Sequence, residues 1–257
     1  MSASLQRALG LLDLVAAGTC TLGELAVASG THKSTVLRLL RVLEDAGYVH
    51  HDAQHRYVLG AHLFRLAQQA LDSFDVRAAA AARLRRLRDA VGQTVHLAVL
   101  DPRPGAGCVY VEELEPPDAP VRTASRIGGT APLHRTAVGK VLLAGLPPAE
   151  RELLVRALPL PASTARTLTD PDALLAEVAE VAERGWAQDH GEDETFVNCV
   201  AAPVRGPDGR VRAAVSISVP DVLLPHEAVL ALVPTLTSAT ADVSRDCGYD
   251  PPGGTPP

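Results

Sequence analysis

Apolar positions recur at helical spacing from the start of the chain. Leu5, Leu9, Leu12 and Ala16 predict a helix over 4–17, closed by Gly18, whose apolar side forms the third wall of a small N-terminal core. Thr21-Leu22-Gly23-Glu24 then has the form of a capping box, with a hydroxyl for an orphan amide and a carboxylate to reach back. A short helix follows with Leu22, Leu25 and Ala26 on its apolar side, and Ser29-Gly30 ends it. Thr31 is placed to cap a second helix over 32–45. There Val36, Leu40 and Leu43 form one apolar stripe, while Ser34, Arg38, Arg41 and Asp45 fall on the opposite face. Gly47 closes it, and strand-like residues 48–50 and 56–59 flank a polar turn at 52–55. Two short helices, a glycine turn, an outward face of hydroxyls and arginines, and a hairpin behind them predict a winged helix-turn-helix over 1–60.

The pattern changes further on. Leu63, Leu66, Ala67 and Ala70 predict a helix within a linker over 61–74, with an apolar side too thin to fold alone. A second domain over 75–247 opens on a helix carrying Ala80, Leu84, Leu87 and Val91. Alternating β-branched stretches predict strands at 94–100, 108–114, 121–125, 199–204 and 211–219, with a further strand region from Trp186. Helices are expected from near Thr136, from 148 to about 158, from the Asp170-Pro171 cap to Gly185, and over 225–245, the last kinked by Pro234. Hairpin-linked strands with helices outside them make this domain α+β and largely antiparallel. The Pro/Gly-rich stretch at 248–257 is expected to be a disordered tail.

Composition narrows the classes. Of the 257 residues 47% are hydrophobic, which is ample for two cores. No apolar run reaches the ~18 residues of a membrane span, and no signal segment is present, so a cytoplasmic protein without membrane contact is expected. Cys20, Cys108, Cys199 and Cys247 are scattered with no CxxC pair, which suggests neither a zinc knuckle nor a disulfide framework. The net charge of −6 is unevenly spread: residues 1–74 hold six Lys/Arg against six Asp/Glu, and 75–257 hold 18 against 24. A neutral head on an acidic body needs several heads on one duplex, because phosphate affinity grows with the number of contacts. A homodimer or tetramer is therefore expected.

Candidate chemistry follows from the faces. Lys33, Ser34, Thr35, Arg38 and Arg41 lie on the second short helix and Arg56 on the hairpin, all placed to meet double-stranded DNA. Lys33, one of two lysines, suits a phosphate, since an ammonium is a point charge. Ser216 and Ser218 stand two apart on a strand and share a face. Amides at the start of the helix near Thr136 attract a carboxylate. Lys140, inside that helix, suits either an anion or a salt bridge. Asp189, Glu192, Asp193 and Glu194, with His190 and Cys199, read as a solvated acidic loop rather than a metal site, since their spacing matches no closed zinc set. Trp186 reads as core or pocket wall. Cys199, His134 and Asp189 offer an alternative of another class, a thiol-dependent hydrolase with a regulatory head, against which stands the lack of any nucleophile signature. A third alternative is a dimerising scaffold whose pocket its own side chains fill.

The chain resembles the IclR family of bacterial transcriptional regulators over almost its whole length. The resemblance rests on Leu5-Gln6-Arg7-Ala8-Leu9, Leu22-Gly23-Glu24-Leu25-Ala26, Lys33-Ser34-Thr35-Val36-Leu37-Arg38-Leu39-Leu40 and Arg56-Tyr57-Val58-Leu59-Gly60 at the front. At the back it rests on Ala131 to Lys140 (APLHRTAVGK), Cys199-Val200-Ala201-Ala202-Pro203-Val204 and Val215-Ser216-Ile217-Ser218. It implies a winged helix-turn-helix, a linker helix and a GAF-like effector-binding domain, in dimers or tetramers on palindromic operators, with a repressor as the expected role. No cofactor, metal or catalytic residue is implied. The family's pocket positions match Ala137, Val138, Asp189, Cys199, Ser216 and Ser218, and imply a small organic acid as effector. Many members carry Gly-Ala where this chain has Ala137-Val138, and glycine where it has Pro220. Both changes bear on pocket shape.

Overall fold

The computed structural model describes residues 3–72, 75–101, 103, 107–119 and 125–250. The chain divides into two units, Met1–Ser73 and Phe74–Pro257. In the first, α1 (Ala3–Ala16), α2 (Leu22–Ala28) and α3 (Lys33–Asp45) close around one core, followed by the hairpin β1 (Val49–His51) and β2 (Tyr57–Leu59) and by α4 (His62–Asp72). The capping box forms: Thr21 Oγ1 accepts from Glu24 N at 3.2 Å, and Glu24 Oε2 accepts from Thr21 N at 3.0 Å. Leu25, Ala26, Val36, Leu40 and Leu43 are buried against Leu11 and Val15 of α1, with Val49 and Tyr57 of the hairpin.

Two local expectations are corrected here. The buried stripe of α1 runs through Leu11 and Val15, while Leu5 and Leu9 are 56% and 54% exposed. The helix is leucine-rich on more than one side, and the packing of α2 and α3 selects the phase. Thr31 does not cap α3: the N-cap is His32, without a side-chain bond, and Thr31 Oγ1 donates to Ser29 O. On α4, Phe64 and Leu66 stay exposed at 78% and 39%. Gly60 is required where β2 turns into α4, since a Cβ there would stand 2.1 Å from Gly47 O.

Among the described residues, the second unit is a six-stranded sheet between helices. Its strands are β3 (Thr94–Leu100), β4 (Cys108–Leu114), β5 (Thr130–Ala131), β6 (Ala187–His190), β7 (Val197–Arg205) and β8 (Val211–Pro220), in the order β5-β4-β3-β8-β7-β6 with every neighbouring pair antiparallel. Helices α5 (Asp75–Val91) and α10 (Val233–Asp246) pack against each other and against β3, β4 and β7. Helices α6 (Ala137–Ala144), α7 (Pro148–Ala157) and α8 (Pro171–Arg184) form the other layer. With both faces covered, β8 is buried from Ala213 to Pro220, and its alternation sends Ser216 and Ser218 to one side and Val215, Ile217 and Val219 to the other. Helix α6 is buried from Ala137 to Leu143 and apolar on every side but that of Lys140, as suits a helix held between a sheet and other helices.

The expected closing helix is two helices, α9 (His226–Leu230) and α10, because Pro234 sits in the first turn of the second, where a missing N–H costs least. Of the strand expected at 121–125, residues 121–124 lie outside the described residues, as do 251–257 of the expected tail. Tyr249 N still donates to Ser244 O at 2.9 Å. No described helix is long and apolar enough to cross a membrane.

Candidate functional site

The head presents a polar helix face. Burying Val36, Leu40 and Leu43 turns Lys33, Ser34, Arg38 and Arg41 to the surface, with Thr35 half-buried beside them. Among the described residues, Lys33, Arg38 and Arg41 take part in no ion pair, so their charges are free for a polyanion. Arg56 differs. The hairpin tip is an Asx turn in which Asp52 Oδ1 accepts from Gln54 N and Arg56 N, both at 2.9 Å. Asp52 Oδ2 takes the Arg56 guanidinium at 2.9 Å from Nε and 2.8 Å from Nη2. A phosphate would have to compete with that carboxylate.

In the second unit the six positions singled out on the sequence meet. Ala137, Val138, Asp189, Cys199, Ser216 and Ser218 all line one cavity of about 180 Å³. Strand register brings the sheet residues together: Asp189 pairs with Cys199, and Cys199 with Ser218, on successive strands. Helix α6 enters above them. Thr136 caps it, its Oγ1 accepting from Gly139 N at 3.1 Å, so the Ala137 and Val138 amides belong to the first turn and have no acceptor within the helix. Gly139 lets this end lie against the preceding loop, for a Cβ there would stand 2.5 Å from Leu133 Cα.

The acidic loop is not solvated as its composition suggests. Asp189 and Glu192 are 2% and 7% exposed. Asp189 Oδ1 accepts from Glu192 N at 2.6 Å, while burial pushes its carboxyl up to about 7. Glu192 takes the Lys140 ammonium at 2.6 Å, and Lys140 Nζ also donates to Gln188 O at 3.2 Å. Lys140 is thus committed to a buried salt bridge. Asp193, 2.5 Å from Arg135 Nε, and Glu194 reach the cavity wall. Among the described residues no cluster of three or more His, Cys, Asp or Glu is arranged to hold a metal.

Sequence reasoning missed one whole wall. His96 and Tyr110, from β3 and β4, line the cavity with Ser125, Thr130 and Val197. The rings of His96 and Tyr110 are 4.9 Å apart. A lone histidine inside the largely apolar, strand-forming stretch 94–100 was the available signal. Trp186 is neither core nor cavity wall: it is partly exposed, with Arg184 Cζ 4.5 Å from its ring centre. Cys199 is no nucleophile in this setting. Burial raises its thiol well above the ordinary value, Asp189 adds to the shift, and Sγ donates to Ser218 Oγ at 3.2 Å. His134 turns Nε2 to Pro161 O at 3.2 Å, and burial lowers its basicity.

Comparison with known proteins agrees in both halves. The IclR helix-turn-helix domain matches residues 4–53, and the family described as bacterial transcriptional regulator IclR C-terminal matches 68–245. The chain is 35% identical to the HTH-type transcriptional regulator XynR of Escherichia coli K12, over 96% of this chain and 97% of that one. Among solved structures it is similar to the Thermotoga maritima IclR, with a TM-score of 0.80, 29% identity, and coverage of 97% of this chain and 100% of that one. It is also similar to an IclR homologue from Microbacterium hydrocarbonoxydans complexed with 4-hydroxybenzoate, with a TM-score of 0.82, 27% identity, and coverage of 95% and 99%.

Proposed function

Because the chain belongs to the IclR family of bacterial transcriptional regulators, we propose that this DNA-binding regulator answers to a small organic acid held in the cavity between α6 and the sheet. The relatives are transcriptional regulators rather than enzymes, and the thiol-hydrolase alternative is discarded. The observation that carries the reading is the convergence of six positions from four separate segments on one cavity whose roof is a helix N-terminus. The effector's carboxylate meets the Ala137 and Val138 amides, where unpaired N–H groups and the helix dipole favour an anion. Ser216 and Ser218 contact it from the sheet. Asp189, Asp193 and Glu194 disfavour a second negative charge and favour a hydroxyl at the other end. The 4-hydroxybenzoate of the solved relative has that pattern and is the first acid to try.

On the head, Lys33, Ser34, Thr35, Arg38 and Arg41 face the duplex, with Arg56 in a lesser role set by its bond to Asp52. A second copy of the chain covers apolar positions left bare, Leu5 and Leu9 on α1 and Phe64 on α4. It also supplies the second head that a neutral domain needs. The effector acts only through unequal affinity for the two head arrangements. Loss of the gene should raise the adjacent transcript if the protein represses.

A thermal-shift panel of small aliphatic and aromatic acids tests the cavity, with Ser216→Ala/Ser218→Ala as the control. At least one acid should raise the melting temperature of the wild type, and the double variant should lose that shift while still binding DNA. A double variant that keeps the full response would remove the assignment of these serines.

A further inference from the structure

The wall formed by β3 and β4 carries a one-way chain of hydrogen bonds. His96 is 2% exposed; its Nε2 is 2.7 Å from Ser125 Oγ and its Nδ1 is 3.3 Å from Ser218 Oγ. Beyond it, Ser125 Oγ donates to Glu113 Oε1 at 3.4 Å, and the same carboxylate oxygen is 3.7 Å from His96 Nε2. On the cavity side, Cys199 Sγ donates to Ser218 Oγ. A neutral imidazole has one donor nitrogen and one acceptor. With the Ser125 proton directed to that carboxylate, Ser125 accepts from Nε2–H. Nδ1 is then the acceptor, and Ser218 must donate to it. The protons run from Cys199 through Ser218, His96 and Ser125 to Glu113. The one O–H of Ser218 is thereby turned to the imidazole, and Ser218 offers the cavity only a lone pair.

An effector anion at this wall needs a donor instead. We propose that His96 decides the polarity of the cavity: once protonated, its Nδ1–H donates to Ser218, the Ser218 hydroxyl turns to the effector carboxylate, and anion and proton enter together. The step takes one proton from solvent onto Nδ1 and rearranges hydrogen bonds alone. It rests on the reading of this cavity as the effector site. Glu113 is the resident counter-ion. Burial alone would raise its carboxyl, but His96 and Arg126, whose Nη1 is 3.6 Å away, hold it below the ordinary value. The other groups facing His96 and the cavity are Tyr110 on β4, Ser216 on β8, Cys199 on β7, Asp189 on β6, and Asp193 and Glu194 beyond. Asp189 could also take up a proton when an anion binds, so the test separates the two residues.

The full-length chain labelled with ¹⁵N-histidine gives the first arm, with His96→Gln identifying the resonances. At pH 8 the free protein should show His96 as the neutral Nε2–H tautomer, and Ser218→Ala should shift its Nδ1 resonance. An Nδ1–H tautomer, or an Nδ1 signal that ignores Ser218→Ala, would overturn the proposal. The second arm is calorimetry of 4-hydroxybenzoate at pH 8 in two buffers of different ionisation enthalpy. Wild type and Asp189→Asn should each take up about one proton, and affinity should rise up to about tenfold per pH unit lowered. His96→Gln should take up none. Binding without proton uptake in the wild type refutes the proposal and spares the cavity reading. No binding by any form, with the tautomer as expected, refutes that reading for this acid and removes the coupling that depends on it.

Discussion

Replacing Lys140 by methionine should cost far more than the loss of one surface charge. Lys140 is 1% exposed, its ammonium is 2.6 Å from Glu192 Oε1 and 4.0 Å from Glu177 Oε1, and Glu192 is itself 7% exposed. Methionine keeps most of the stem's packing but leaves Glu192 buried without its cation. Breaking one side of such a pair costs about 3–5 kcal/mol. At roughly 2–4 °C per kcal/mol for a domain of this size, the melting temperature should fall by about 6–20 °C. The sign with pH follows from Glu192. Burial already raises its pKa against the lowering by Lys140, and removing Lys140 raises it further. A carboxyl raised in the folded state penalises folding only above its unfolded pKa, so the loss should be small near about pH 4 and full at neutral pH. Urea unfolding at several pH values measures this. Adding Glu192→Gln should restore part of the stability at neutral pH, since a neutral amide needs no cation. A Lys140→Met variant within about 0.5 kcal/mol of wild type at pH 7.5 would refute the reasoning, because that is the range of a surface substitution.

Arg38→Ala should weaken specific duplex binding by about 5- to 160-fold, the worth of one base-reading arginine, while leaving the unfolding transition unchanged; fluorescence anisotropy against specific and random duplex checks both the loss and the sequence preference. Asp189→Asn should flatten the pH dependence of stability. With Asp189 raised to about 7, the folded chain holds a proton that the unfolded chain has released, so wild-type stability should fall as pH rises from about 4 towards 7. Denaturant titrations at pH 5 and 7.5 that show the same slope for both proteins would contradict this.

Local chemistry was the most legible part. The capping box at Thr21 and the stripe through Val36, Leu40 and Leu43 need only residues three to seven apart, and both form. Leu5 and Leu9 were misread because the leucines of α1 offer two phases, and only the positions of α2 and α3 choose between them. Pro234 marked a break correctly but not its depth. Position 234 falls in the first turn of a new helix, which lets the chain restart rather than bend. The serines and the α6 entry were legible from spacing and from family likeness. His96 and Tyr110 were not, because their place depends on pairing across the sheet, His96 opposite Ser216 and Glu113. The acidic loop misled for a related reason: its exposure looks certain from composition, yet the Lys140 ammonium and the Glu192 amide draw its first carboxylates inward.

The central claim is that a duplex-reading head answers to an acid held in the second unit. Its most direct test is anisotropy titration of the full-length protein against the promoter of its own gene and against random duplex, at moderate salt, with and without 4-hydroxybenzoate and related acids. The account predicts a clear preference for the promoter that at least one acid shifts in wild type but not in Ser216→Ala/Ser218→Ala. Equal affinity for both duplexes under every condition would contradict it.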